Sequence, residues 1–262
     1  MGEFVSVACK GSVATVVLNR PDLHNAFNEI VMRDLTEAFA TTGSRGDVRS
    51  LILRSEGKSF CAGADVHWMK RMVDYSFEEN VQDANLLATM LRTIRECPKP
   101  VVARIHGAAI GGGVGLTAAC DMAVALESAV FCLSEVKLGI IPAVISPFVL
   151  EKIGMSSMRR YALTAERFNA AEAKRIGLIH EVCATTESMD AWIDERCKEI
   201  SANGPQALSA CKQMLREVSS ADWDRLQDIT TRRIAERRIS PEGQEGLKSF
   251  LEKRSPRWGL PE

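Results

Sequence analysis

The 262-residue sequence predicts an α/β protein. Three observations carry that reading: short apolar runs rich in Val, Ile and Leu alternate with amphipathic stretches through the first two-thirds of the chain, the last third has helical spacing throughout, and two turns built from glycine and alanine follow strand-like segments.

Taken in order, residues 5–8 and 13–18 read as strands joined by a tight turn at Lys10-Gly11-Ser12. Residues 28–41 place Ile30, Val31, Leu35, Ala38 and Phe39 on one helical face. Residues 50–53 form a short apolar run before the Glu56-Gly57-Lys58 turn and read as a strand. Val81, Ala84, Leu87, Leu91 and Ile94 mark a long amphipathic helix over 77–97, which Pro98 and Pro100 end. A strand at 101–105 leads into a glycine cluster and a short helix reaching Ala119, and 122–126 and 130–133 are further strands. Asn169 suits the N-cap of a helix over 170–175 that Gly177 terminates. Helices are expected at 188–203, 205–218, 221–238 and 241–253. No repeat, low-complexity tract or linker interrupts this pattern, and the chain divides into a core over 1–195 and a helical region over 196–262.

Composition narrows the function classes. With 46% hydrophobic and 26% charged residues the chain is an ordinary globular sequence. A net charge of −1 with scattered lysines and arginines gives no footprint for nucleic acid. The apolar stretch at 138–149 is broken by Pro142 and Pro147, so no membrane span is expected. The eight cysteines form no C-x-x-C pair and mostly sit among apolar neighbours, which predicts reduced, buried thiols and a cytoplasmic location. The N-terminus lacks the regions of a signal peptide. Met1, Gly2 and Ser6 fit the loose myristoylation pattern, but the segment continues as a strand and lipidation is not the favoured reading.

The chemistry concentrates in two turns. In Phe60-Cys61-Ala62-Gly63-Ala64-Asp65, successive small residues let backbone N–H groups reach a ligand atom; the plainer alternative is a tight packed connection. The cluster Gly107-Ala108-Ala109-Ile110-Gly111-Gly112-Gly113-Val114-Gly115 lies between a strand and a helix, where a helix N-terminus favours an anion or a developing oxyanion. Its plainer alternative is close packing of helix on sheet. Gly113-x-Gly115-x-x-Ala118, with Glu135 about 20 residues on, also matches a permissive dinucleotide fingerprint. That reading fits poorly, because the helix is short and Glu135 falls after the second strand rather than the first. No G-x-S-x-G, H-E-x-x-H or Walker lysine motif occurs, and His24, His67, His106 and His180 are isolated, so no metal site is expected.

Together these segments resemble the enoyl-CoA hydratase/isomerase (crotonase) superfamily. Asn19-Arg20-Pro21-Asp22-Leu23-His24-Asn25-Ala26-Phe27 is similar to its N-terminal motif; residues 60–65, 106–113 and 135–142 resemble its three central motifs; residues 250–256 resemble its ending. The resemblance implies a superhelix of strand–strand–helix turns with a C-terminal helical region used in forming homotrimers, often paired as hexamers. It implies an acyl-CoA substrate with no separate cofactor, the N–H groups of Ala64 and Gly112 on the thioester oxygen, and Glu135 as acid and base. Coenzyme A would lie along His24, Ala26, Lys58, Ala62 and Asp65, with Lys253 contributed by a neighbouring subunit. The sequence departs from the pattern at Gly115, where hydratases of the family typically carry a second glutamate, and at His67, where a lysine is frequent.

A lone carboxylate suits an isomerase as well as a hydratase. Residues 65–72 and 131–147 look most like bacterial methylglutaconyl-CoA hydratases of leucine breakdown, a subgroup that also has glycine at the first glutamate position, so hydration is placed first. Lys70, Arg71 and Lys137 are the cations available to the second carboxylate of such a substrate, though each reads more simply as a surface charge, and Gly115 is expected to leave room for a branched acyl group. An enoyl-CoA isomerase and a non-catalytic acyl-CoA-binding scaffold are the alternatives.

Overall fold

The computed structural model describes residues 2–258; Met1 of the acylation-like start and residues 259–262 of the helical region lie outside the described residues. The chain begins with β1 (Val5–Lys10), β2 (Val13–Leu18) and α1 (Glu29–Ser44), continues with β3 (Ser50–Ser55), β4 (Ser59–Cys61), α2 (Val66–Met72) and α3 (Phe77–Glu96), and then with β5 (Val101–Ile105), β6 (Ala108–Ile110) and α4 (Gly112–Ala119). It goes on through β7 (Met122–Leu126), β8 (Val130–Cys132), a 3-10 turn at Glu135–Leu138 and α5 (Ser146–Thr164), then β9 (Phe168–Asn169), α6 (Ala170–Arg175), β10 (Glu181–Cys183) and α7 (Thr186–Ala202). α8 (Pro205–Ser220), α9 (Trp223–Ile239) and α10 (Pro241–Leu251) complete it.

The strands form two sheets, one ordered β1-β2-β3-β5-β7-β10 and the other β4-β6-β8-β9. Three successive passes, β3–β4, β5–β6 and β7–β8, each add one strand to the large sheet, the next to the small sheet, and then helix, which is the expected strand–strand–helix superhelix; the first pass puts both β1 and β2 in the large sheet. Pairing is parallel except at β1–β2 and β8–β9. Alternation along β5 shows how the large sheet is buried on both faces: Val101, Ala103 and Ile105 join the main core, whereas Val102 joins a smaller cluster with Val124, Met189, Ile193 and Cys197 beneath α7. Residue 195, where the sequence division ends the core, thus lies inside a helix packed on the sheet. Beyond it α8 and α9 bury no residue fully.

Local chemistry accounts for the helix starts. Asn28, Asn169 and Thr185 each accept the N–H three residues ahead, and Ser76 with Glu79 forms a capping box before α3. β4 and β6 escape the sequence reading because three residues carry no resolvable period. α5 escapes it because Gly154, at φ 68°, interrupts the helix and Pro147 sits in its first turn. Six cysteines are buried as expected; Cys9 and Cys211 are exposed. No helix among the described residues is long and apolar enough to cross a membrane.

α4 is buried along almost its whole length, and its glycines are what let it enter. A Cβ at Gly113 would lie 2.3 Å from the Cys61 carbonyl oxygen, and one at Gly115 would lie 2.4 Å from Ile145 Cγ2 and 2.9 Å from Ile145 Cβ. Gly115→Ala should therefore destabilise the protein by about 1–3 kcal/mol through overpacking. Ile145→Ala alone should lose about 2–5 kcal/mol, and the double variant should lose clearly less than the sum, as urea denaturation of the four proteins would show. Additive losses would mean that the two side-chain volumes do not compete.

Candidate active site

The segment before α1 sets the first turn of the site. His24 and Asn25 both adopt left-handed backbone, at φ 52° and 55°, a conformation that asparagine tolerates better than most residues. Buried Asn25 holds it in place: its Nδ2 donates to the carbonyls of Glu56 at 2.7 Å and Ser59 at 2.8 Å, and its Oδ1 accepts Arg20 N–H at 2.9 Å. The Arg20 guanidinium in turn donates to Ala26 O at 3.0 Å and pairs with buried Asp65 at 2.5 Å. Phe27 is thereby laid beside Ala64 in a short parallel bridge. Phe27 N–H donates to Gly63 O and Asp65 N–H donates to Phe27 O. This bridge uses the groups on either side of Ala64 and leaves the Ala64 N–H outside it.

The second turn is brought against the first. Gly63 has φ 87°, and a Cβ there would stand 2.9 Å from Ile110 O and 3.6 Å from Gly112 N. Gly111, at φ 52° and ψ −117°, precedes α4 and turns the chain so that Gly112 opens the helix. The N–H of a first helical residue has no intrahelical acceptor, and it sits at the positive end of the helix dipole. Two unengaged N–H groups, Ala64 and Gly112, therefore belong to two turns in contact. Both residues line one cavity of about 590 Å³, together with Ala62, Gly63, Gly111 and Glu135.

Glu135 enters from the 3-10 turn after β8. Its Oε1 would lie 3.0 Å from a Cβ at Gly111, so the carboxyl group rests on the glycine turn itself. Its Oε2 is buried and has no hydrogen-bond partner among the described residues. Burial pushes the Glu135 carboxyl above the ordinary carboxylate range, against the opposing pull of nearby backbone N–H groups at Glu135 and Ser134. Most of the remaining wall is apolar, with Phe27, Trp68, Met69, Leu87, Ile140 and Ile145 among its members. No group of three or more His, Cys, Asp or Glu among the described residues could hold a metal ion.

The other sequence-stated residues divide into those on the wall and those beside it. Ala62 lines the cavity, and its N–H donates to His24 O at 3.0 Å. His24 touches Ser59 through Nδ1 at 3.1 Å, next to exposed Lys58, whereas Ala26 is buried, and none of His24, Ala26 and Lys58 lines the cavity. Asp65 is instead a helix cap: it is buried, accepts His67 N–H at 2.6 Å and pairs with Arg20, and it does not line the cavity. Burial alone would raise its pKa, but the His67 N–H and the Arg20 guanidinium outweigh that and hold the carboxylate below its usual range. Exposed Lys253 and His67 do not line the cavity, and neither do Lys70, Arg71 and Lys137. Arg71 is paired with Glu29 at 2.5 Å.

One expectation about the second turn is corrected. The absent side chain at Gly115 leaves no open space, because Ile145 and Leu91 fill it. In keeping with the poor fit of the dinucleotide-like pattern, its glycines are packing positions against Cys61 and Ile145, and Glu135 rests on Gly111 at the cavity. The sequence reading missed the wall contributed by α2 and α3, including Trp68 and Asp83; the helical period at Asn80, Asp83, Ala84 and Leu87 was the available signal.

Comparison with known proteins agrees with this geometry. The chain is 41% identical to an enoyl-CoA hydratase from Shewanella pealeana, whose crystal structure aligns with a TM-score of 0.94 over 98% of this chain and 96% of that one. It is 32% identical over 260 residues to the enoyl-CoA hydratase AKT6-1 of Alternaria alternata, covering 98% of this chain and 85% of that protein. It is also 29% identical over 266 residues to the peroxisomal Delta(3,5)-Delta(2,4)-dienoyl-CoA isomerase of Arabidopsis thaliana, covering 98% and 96%. The profile of the Enoyl-CoA hydratase/isomerase family matches residues 8–260, and the chain belongs to that family.

Proposed function

We propose that this protein adds water across the conjugated double bond of an enoyl-CoA thioester, with methylglutaconyl-CoA of leucine breakdown as the first acyl group to test. The observation that carries the reaction is the meeting of three groups at one apolar cavity: the N–H groups of Ala64 and Gly112, and the half-buried Glu135 carboxyl. As the thioester becomes an enolate, negative charge grows on its oxygen, and two fixed donors in a water-poor space stabilise that charge more than the neutral carbonyl. Glu135 stands where a proton must reach or leave the carbon next to the thioester. The segment from His24 to Ala26, with Lys58 and Ala62, is our proposed path for coenzyme A, with Lys253 acting from a neighbouring copy.

The acyl group rests on the similarity of residues 65–72 and 131–147 to methylglutaconyl-CoA hydratases. The wall described above weighs on the other side, since its charged members are the carboxyl groups Asp83 and Glu135, which oppose an ionised distal carboxylate. The exposed apolar side chains Leu215, Trp223, Ile234, Ile239, Phe250 and Leu251 on α8, α9 and α10 support assembly as a homotrimer or homohexamer. The lack of a carboxylate at Gly115 and the dienoyl-CoA isomerase relative support the second reading, movement of a double bond by the same enolate.

Incubation with methylglutaconyl-CoA, crotonyl-CoA and a 3-enoyl-CoA separates the two. A hydroxylated product from either conjugated substrate, seen by mass spectrometry, is the expected result; double-bond migration alone would replace hydration with isomerisation. Glu135→Gln should lower kcat by about 10²–10⁴-fold, and an unchanged rate on an active substrate would remove Glu135 from the chemistry. The raised Glu135 pKa also fixes the sign of the pH response. In hydration the protonated carboxyl delivers the proton, so kcat should fall as pH rises through that pKa, above the ordinary carboxylate range, and the Gln variant should lose that limb.

A further inference from the structure

Hydration moves two protons: one leaves the attacking water and one arrives at the carbon beside the thioester. Glu135 is placed for the second, and the family position that would supply another carboxylate is Gly115, closed off here by Ile145. The cavity wall nevertheless holds a second carboxyl group. α3 presents Asn80, Asp83, Ala84 and Leu87 to the cavity at helical spacing, and Asp83 is the ionisable member of that face. Buried Trp68 on α2 donates Nε1–H to Asp83 Oδ1 at 2.9 Å, which fixes the carboxyl group and leaves Oδ2 without a partner among the described residues. Arg71, the nearest cation acting on it, is paired with Glu29 instead. Asn80 spends its amide on the carbonyls of Tyr75 and Ser76.

We propose that Asp83, held by Trp68, is the second carboxylate of this site and binds the attacking water. The proposal rests on the hydratase reading. In the step, the Asp83 carboxylate takes a proton from water as the water oxygen bonds to the β-carbon. The electron pair of the double bond shifts toward the thioester oxygen, held by the Ala64 and Gly112 N–H groups. The enolate then collapses as the Glu135 carboxyl gives its proton to the α-carbon. The net change is addition of one water; Asp83 ends protonated and Glu135 ionised, and exchange with solvent restores both. Burial, aided by Glu29 and opposed by the Trp68 N–H and Arg71, holds the Asp83 carboxyl above its ordinary range, which makes it a stronger proton acceptor than a surface aspartate.

Asp83→Asn tests this with little disturbance, because the amide oxygen still accepts the Trp68 N–H. Hydration of crotonyl-CoA should fall by about 10²–10⁴-fold. Exchange of the α-protons of butyryl-CoA with D2O, which needs the oxyanion donors and Glu135 but no attacking water, should fall by less than about tenfold. Asp83→Glu should recover part of the hydration rate. An unchanged hydration rate in Asp83→Asn overturns the proposal, and so does parallel loss of hydration and exchange, since that outcome makes Asp83 a structural support only. If the unmodified protein exchanges α-protons yet hydrates no enoyl-CoA, the hydratase reading itself fails, and the role of Asp83 with it.

Discussion

Backbone must touch backbone for two turns to aim their N–H groups at one atom, and the structure depends on that approach. A Cβ at Gly63 would meet Ile110 O, and one at Gly113 would meet the Cys61 carbonyl, so either would push the first turn away from α4. The parallel pairing of β4 with β6 and of β6 with β8 holds the strands that carry these turns and the 3-10 turn of Glu135. Three functional groups thus come from three consecutive passes of the superhelix. Their mutual placement follows from sheet register rather than from side-chain reach, which is why it survives in a small, shallow sheet of short strands.

Electrostatics then assign different work to carboxyl groups that the sequence presents alike. Asp65 is buried but meets a guanidinium and a helix N–H, so it remains ionised and structural. Glu135 and Asp83 are partly buried without a cation of their own, and both are held toward the neutral form. A carboxyl group raised in this way keeps its proton to higher pH than an ordinary carboxylate and is the stronger base once ionised, whereas Asp65 cannot leave its ion pair without a large penalty. In the proposed reaction, the same surroundings that raise these pKa values would also strengthen the pull of the Ala64 and Gly112 donors on a growing negative charge.

The substitution of packing for chemistry at Gly115 sets this chain apart from the two-glutamate pattern. Ile145 occupies the space beside the helix and turns that part of the wall apolar. A hydrophobic patch there favours an apolar part of a ligand, and under the proposed hydration it leaves Asp83 on α3 as the other carboxyl group of the wall.

Strands and helices with a clear period were legible from the chain alone, as in 101–105, 122–126 and 170–175, because alternation and capping are local properties. So were the two turns, since small residues between a strand and a helix point to exposed N–H groups wherever they occur, and Glu135 followed from the family motif. The surroundings of Asp65 were not legible, because its motif position says nothing of Arg20, 45 residues earlier in the chain, which claims its charge. The fate of Gly115 and the presence of Asp83 were equally hidden. What fills the space beside a glycine, and which face of α3 meets the turns, depends on contacts between segments far apart in sequence, and only the folded packing brings Ile145, Leu91, Trp68 and Asp83 to the same cavity.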